Sequence, residues 1–155
     1  MKVALPARSG QIDYVSTELL SRAALLTRLL VRQLGGALSR TEIGLLKTLD
    51  GGSRRITELA ELEGLAQPTI TILIKQLEEQ GLVTRTRQSG DGRVVLVDLT
   101  ESGSVALEEY RARLRAVLGA YLAEISDEQV EALATATEAL AQLVDVLQQA
   151  PAARR

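Results

Sequence analysis

The chain has 155 residues, 46% of them hydrophobic and 25% charged, with a net charge of −2; it is long enough for one domain or two small, intimately packed parts, and apolar enough to fold. It contains no Cys, His, Phe or Trp, which excludes disulfides, thiolate nucleophiles and thiol switches, leaves no ligands for a usual Zn or Cu site, and removes the commonest acid–base group. No apolar run approaches the roughly 18 residues of a membrane helix and the N-terminus is too weak for a secretory signal, so the expectation is a soluble, cytoplasmic protein with no metal, no cofactor, no catalytic residues and no membrane contact.

In chain order, residues 11–35 read as a long helix, with Leu19, Ala23, Leu26, Leu30 and Leu34 at spacings of three and four and Gly35-Gly36 ending it. A second helix starts at Ser39, where Ser39 and Glu42 form a capping-box pattern and Leu38 and Ile43 a hydrophobic staple; Ile43, Leu46 and Leu49 make its inner face, and Asp50-Gly51-Gly52-Ser53 stops it. A short third helix, about 57–63, is expected to turn Leu59 and Leu62 inward. Pro68 suits the first turn of a fourth helix running to about Gln80, with Ile70, Leu73, Ile74 and Leu77 inward, and Gly81 as a left-handed cap over which Leu82 packs back.

Two segments of alternating pattern, residues 83–88 and 94–99, flank Ser89-Gly90-Asp91-Gly92 and predict a β-hairpin. Thr100 caps a fifth helix, about 101–123, striped by Leu107, Tyr110, Leu114, Val117 and Tyr121. Ser126 and Gln129 repeat the capping box, and the last helix carries a heptad-like seam of Leu133, Ala136, Leu140, Leu143 and Leu147. Residues 1–10 and 150–155 read as flexible tails.

Charge is unevenly spread. Residues 1–56 carry nine Lys/Arg against four Asp/Glu, 57–82 one against five, 83–97 three against one, and 98–155 five against ten. The informative unit is 39–100: three helices, the last two joined by a tight turn, then a hairpin. That order is the pattern of a winged helix–turn–helix, whose second helix enters the DNA major groove. The fourth helix offers Gln67, Thr69, Thr71 and Lys75 for base edges and phosphates, and no acid lies between Gly64 and Leu77. Arg85, Arg87 and Arg93 on the hairpin are candidates for a narrow minor groove or for phosphate, and Asp91 is expected to pair with an arginine and hold the turn.

Residues 56–103 resemble the MarR family of bacterial transcription regulators. The resemblance is carried by "ELA", "QPTIT", "LEEQGLV" and an Arg-rich wing with Asp91-x-Arg93 and "VDLT". It extends in size and layout over nearly the whole chain, implying a mostly α fold with a small β-hairpin wing: a winged helix–turn–helix at 39–100 flanked by dimerisation helices at 11–35 and 101–149. It further implies a homodimer on double-stranded DNA at a near-palindromic operator, usually as a repressor, with Arg93 or Arg87 entering the minor groove. Where the family often has basic residues, this chain has Ile72 and Gln76.

Dimerisation also follows from the residues themselves. The first, fifth and sixth helices carry apolar stripes that a domain of about 60 residues cannot cover, so Leu19, Leu26, Leu133, Leu140, Leu143 and Leu147 are expected at a symmetric interface. By the resemblance, a small-molecule effector is a further partner; Tyr14, Arg22 and Tyr110 are the candidates to meet it. Two other readings are a winged-helix protein-interaction module without DNA contact and a carboxylate-dependent hydrolase, the latter lacking any convergent set among Glu61, Glu63, Glu78 and Glu79.

Overall fold

The computed structural model describes residues 8–36, 38–87 and 95–149. Among these, the elements follow as α1 (Arg8–Leu34), α2 (Arg40–Asp50), β1 (Arg54–Arg55), α3 (Ile56–Glu63), α4 (Gln67–Glu79), β2 (Val83–Arg87), β3 (Val95–Leu99), α5 (Glu101–Leu122) and α6 (Asp127–Gln149). The chain divides into two compact units, one reaching Arg115 and the other starting at Ala116, so the division falls inside α5.

The local signals act as their chemistry requires. Ser39 Oγ accepts from the Glu42 N–H at 3.3 Å, and Glu42 Oε2 accepts from the Ser39 N–H at 2.7 Å. Two of the donors left open at the start of α2 are thereby satisfied. The same reciprocal pair recurs before α6, between Ser126 and Gln129.

The core of the first unit is a single cluster. Leu45, Leu46 and Leu49 come from α2, Leu59 and Ala60 from α3, Ile70, Ile74 and Leu77 from α4, Val83 and Val97 from the sheet, and Leu107 from α5. α4 is the instructive member, because Thr69, Ile70, Thr71, Ile72 and Ile74 are all β-branched. That composition disfavours a helix by roughly 2–3 kcal/mol in total. Full burial of Ile70, Ile74 and Leu77 contributes roughly 1.5–3 kcal/mol for each side chain, and these three lie on one face only if the segment is helical. Burial wins, and the strand-like Thr-Ile alternation folds as a helix.

In three places the structure departs from expectation, the first being that α1 already starts at Arg8, inside the stretch 1–10 expected as a tail. Leu62 is 63% exposed, and Ala60 takes the inward position beside Leu59. On the eight-residue α3, Ile56, Leu59 and Ala60 share a stripe at spacings of three and four, which leaves Leu62 off the buried face. The sheet, too, has three strands, in the order β1-β3-β2, all antiparallel. Arg54 and Arg55 pair with Val97 and Leu96; two arginines are too short a run to show any alternation.

The junction of α4, the sheet and α5 is tightly built. Gly81 has φ +72°, the left-handed region that glycine enters without a Cβ clash. The Gly81 N–H then donates to Glu78 O and the Leu82 N–H to Leu77 O, both at 2.9 Å, closing the helix. Thr100 reaches the same turn: its N–H donates to Leu82 O at 3.1 Å and its hydroxyl to Gly81 O at 2.6 Å, while Thr100 Oγ1 accepts from the Gly103 N–H at 3.0 Å. A Cβ at Gly103 would stand 2.0 Å from Leu82 O and 2.7 Å from a Leu99 methyl.

Because the obstructing atom is backbone, Gly103→Ala cannot be relieved by a rotamer change. It is expected to destabilise the protein by about 1–3 kcal/mol, read as a lower urea midpoint; an unchanged midpoint would show that the first turn of α5 is not braced on residues 81–82.

Candidate nucleic-acid interface

The buried side of α4 dictates what its other side presents. Ile70, Ile74 and Leu77 are fully buried and Leu73 is partly so. At 3.6 residues per turn, Pro68, Ile72 and Lys75 lie roughly opposite them, flanked by Thr69, Thr71 and Gln76, and all six are exposed. Gln67 is exposed at the first residue of the helix. Thr71 Oγ1 donates to Gln67 O at 2.9 Å, which orients its methyl group and spends its proton on the helix backbone. Lys75 Nζ lies 3.8 Å from Glu79 Oε1 with both side chains mostly in solvent, a pairing worth little and easily exchanged.

The turn before α4 is closed by the Leu65 N–H donating to Ala60 O at 3.0 Å. Glu63, the last residue of α3, accepts from Thr48 Oγ1 at 2.7 Å and ties α3 to α2. The helix pair is thereby held at its turn, and α4 starts with Pro68 in its first turn.

The wing arginines separate. Arg85 pairs with Val97 in the sheet, and its side chain is 29% exposed, with Nε 3.2 Å from Glu78 Oε2 on α4. This contact is an ion pair not aligned with an N–H direction. Among the described residues neither Nε nor Nη2, both shut off from solvent, has an aligned acceptor. Arg87 is exposed at the end of β2. Arg93 and Asp91 lie outside the described residues.

A different aspartate holds the described part of the wing. Asp98 Oδ2 accepts from Thr86 Oγ1 at 2.9 Å across β2 and β3, and Asp98 Oδ1 accepts from Ser53 Oγ just before β1. One carboxylate thus ties three segments together at the base of the sheet. In the sequence it is a charge interrupting Val94-Val95-Leu96-Val97 before Leu99, within the "VDLT" of the resemblance. Beside it, Arg54 donates to Ser53 O at 2.8 Å, and Arg55 is exposed at the start of α3, its N–H held by Glu58 Oε2 at 2.7 Å. The two add positive charge next to the wing, just after the Asp50-Gly51-Gly52-Ser53 stretch that ends α2.

Of the three residues expected to meet an effector, Tyr110 alone lines either of two hollows among the described residues of the first unit. One, of about 370 Å³, is bounded by Arg32, Leu38, Tyr110 and Arg113; the other, of about 690 Å³, by Arg28, Lys47, Glu63 and Tyr110. Lys47 Nζ stands 5.3 Å from the centre of the Tyr110 ring, a cation–π contact. Tyr14 lies on an open face of α1, and Arg22 is exposed and paired with Glu18 at 2.8 Å. Of the expected interface residues, Leu19 is half-buried; Leu26, Leu133, Leu140, Leu143 and Leu147 are exposed. No residue of α6 is buried.

A helix pair joined by a tight turn, the second helix showing a polar face beside a three-stranded wing, defines a winged helix–turn–helix protein. Residues 38–95 match the model of the MarR family. Over 94 residues the chain is 31% identical to the HTH-type transcriptional repressor MdtR of Bacillus subtilis (strain 168), a stretch spanning 61% of this chain and 61% of that relative. A MarR family protein from Bacillus stearothermophilus superimposes with a TM-score of 0.67 at 26% identity, covering 92% of this chain and 99% of that one. The transcriptional regulator Tm0710 of Thermotoga maritima, at 21% identity, gives a TM-score of 0.68 over 91% of this chain and 99% of that one, a likeness of fold alone. Over its winged helix–turn–helix part the chain is thus similar to the MarR family. Among the described residues, no helix is long and apolar enough to cross a membrane.

The bracing role of Asp98 is measurable. Asp98→Ala is expected to destabilise the protein by about 1.5–3 kcal/mol, the range for a charge-assisted hydrogen bond. In a double-mutant cycle with Thr86→Val the two losses are expected to be non-additive. Strict additivity in urea unfolding would mean that the Thr86–Asp98 contact contributes nothing.

Proposed function

We propose that this protein is a sequence-specific, DNA-binding transcriptional regulator acting as a homodimer on a near-palindromic operator. α4 enters the major groove, with Gln67, Thr69 and Thr71 toward base edges and Lys75 toward phosphate. Arg87 and Arg93 on the wing reach the minor groove. Arg85, engaged with Glu78, positions β2 against α4 and contributes less to DNA affinity. The observation that carries this reading is the solvent face of α4: exposed, free of acids from Gly64 to Leu77, and set beside a wing with arginines. Base edges demand such polar side chains on a helix that fits the groove, and phosphates demand the absence of carboxylates.

The dimer is supported by the apolar seam of α6, which has no buried residue, and by the open face of α1, where Leu30 alone is buried. Contiguous apolar surface of this kind marks an interaction site. Two-fold symmetry then sets the paired α4 helices about 34 Å apart, one DNA turn. The likeness to MdtR, a repressor, supports repression, and the hollows that Tyr110 lines offer room for a small-molecule effector.

Mobility shift on duplexes selected by the protein from a random pool tests the reading. Affinity is expected to fall steeply as salt rises from 50 to 200 mM, as it does when several phosphates are neutralised. Arg87→Ala is expected to weaken binding and reduce the salt slope by about one, whereas Gln67→Ala and Thr69→Ala change the selected sequence and leave the slope alone. No retardation of any duplex at low salt would favour a protein-interaction role instead.

A further inference from the structure

Ile72 is 60% exposed, whereas Ile70 and Ile74, two positions to either side, are fully buried. It occupies the middle of the outward face of α4, one turn after Pro68 and one turn before Lys75, with Thr69, Thr71 and Gln76 around it. Isoleucine is a poor choice for such a position on two counts: it is β-branched in a helix, and it holds apolar surface in water. Both effects favour a polar helix former unless a partner covers the side chain. The partner must also suit the surroundings, which are polar, acid-free and carry one lysine. A neutral side chain cannot neutralise a phosphate, so gripping the DNA backbone is not its contribution. On the floor of the major groove each base pair shows donors and acceptors, and thymine alone adds an apolar group, its C5-methyl.

We propose that Ile72 is a base-reading residue that packs on the C5-methyl of a thymine in each operator half-site; the inference rests on the DNA-binding reading of α4. It predicts a preference for thymine set by apolar contact, at the helix position where a basic residue would otherwise add salt-dependent affinity.

The test uses the full-length protein and duplexes it selects from a random pool. Each thymine of a half-site is replaced singly by deoxyuridine, which removes the methyl and keeps the hydrogen-bonding pattern. One thymine per half-site is expected to respond, its replacement weakening binding roughly fourfold, the value of one buried methyl group. Ile72→Ala is expected to show a loss of at least that size on the thymine duplex and no further loss on the uridine duplex, with an unchanged salt slope and a thermal midpoint no lower than the parent's. The proposal is overturned if the parent protein tolerates uridine at every position, or if the same uridine penalty persists in Ile72→Ala. Failure to enrich any duplex at low salt would instead remove the DNA-binding reading, and with it this one, before any uridine is introduced.

Discussion

The burial of one face of α4 is the interaction on which the rest of the first unit depends. Ile70, Ile74 and Leu77 anchor the helix in the cluster supplied by α2, α3, the sheet and α5. Helical periodicity then leaves no freedom over which side chains face outward. The polar face is a corollary of the core. A change that rotated α4 by even one residue would hide either Thr69 or Lys75, according to its direction, and expose Ile70, so core packing and surface chemistry here cannot vary independently.

Charge is divided between internal bracing and the open surface. Glu78 engages Arg85, and Asp98 engages Thr86 and Ser53. These contacts fix the wing to α4 and to the segment before β1. Polarity also changes along α4 itself: its first ten residues carry Lys75 and no acid, and its end carries Glu78 and Glu79. The positive end of the helix dipole is therefore the end without carboxylates. In the proposed complex the phosphates would meet that end, with the acidic end serving the protein's own wing.

Much of this was legible in the residues. Ser39 with Glu42 and Ser126 with Gln129 mark helix starts because reciprocal capping depends only on two side chains three positions apart. Ile70, Leu73, Ile74 and Leu77 mark a buried face because periodicity is a local property. What stayed hidden depends on contacts distant in sequence. β1 exists because β3, some forty residues later, offers an edge to pair with. Leu62 is turned out because the short α3 buries the stripe of Ile56, Leu59 and Ala60, and which stripe faces inward is set by its neighbours. Arg85 reads as one of three similar wing arginines until Glu78 is seen beside it, and the three-way role of Asp98 needs Ser53 and Thr86 brought together. The polar face of α4 could be read directly, and so could the isoleucine at its centre, since the same periodicity that turns Ile70 and Ile74 inward turns Ile72 outward.

At Gly103, helix α5 rests on bare backbone. Between its first turn and the carbonyl of Leu82 there is no side chain to bend, and Thr100 clamps the same two residues from the side. A joint of this kind has no cushion. Were α5 to tilt, neither partner could yield through a rotamer, and the motion would pass as rigid displacement into the turn that closes α4.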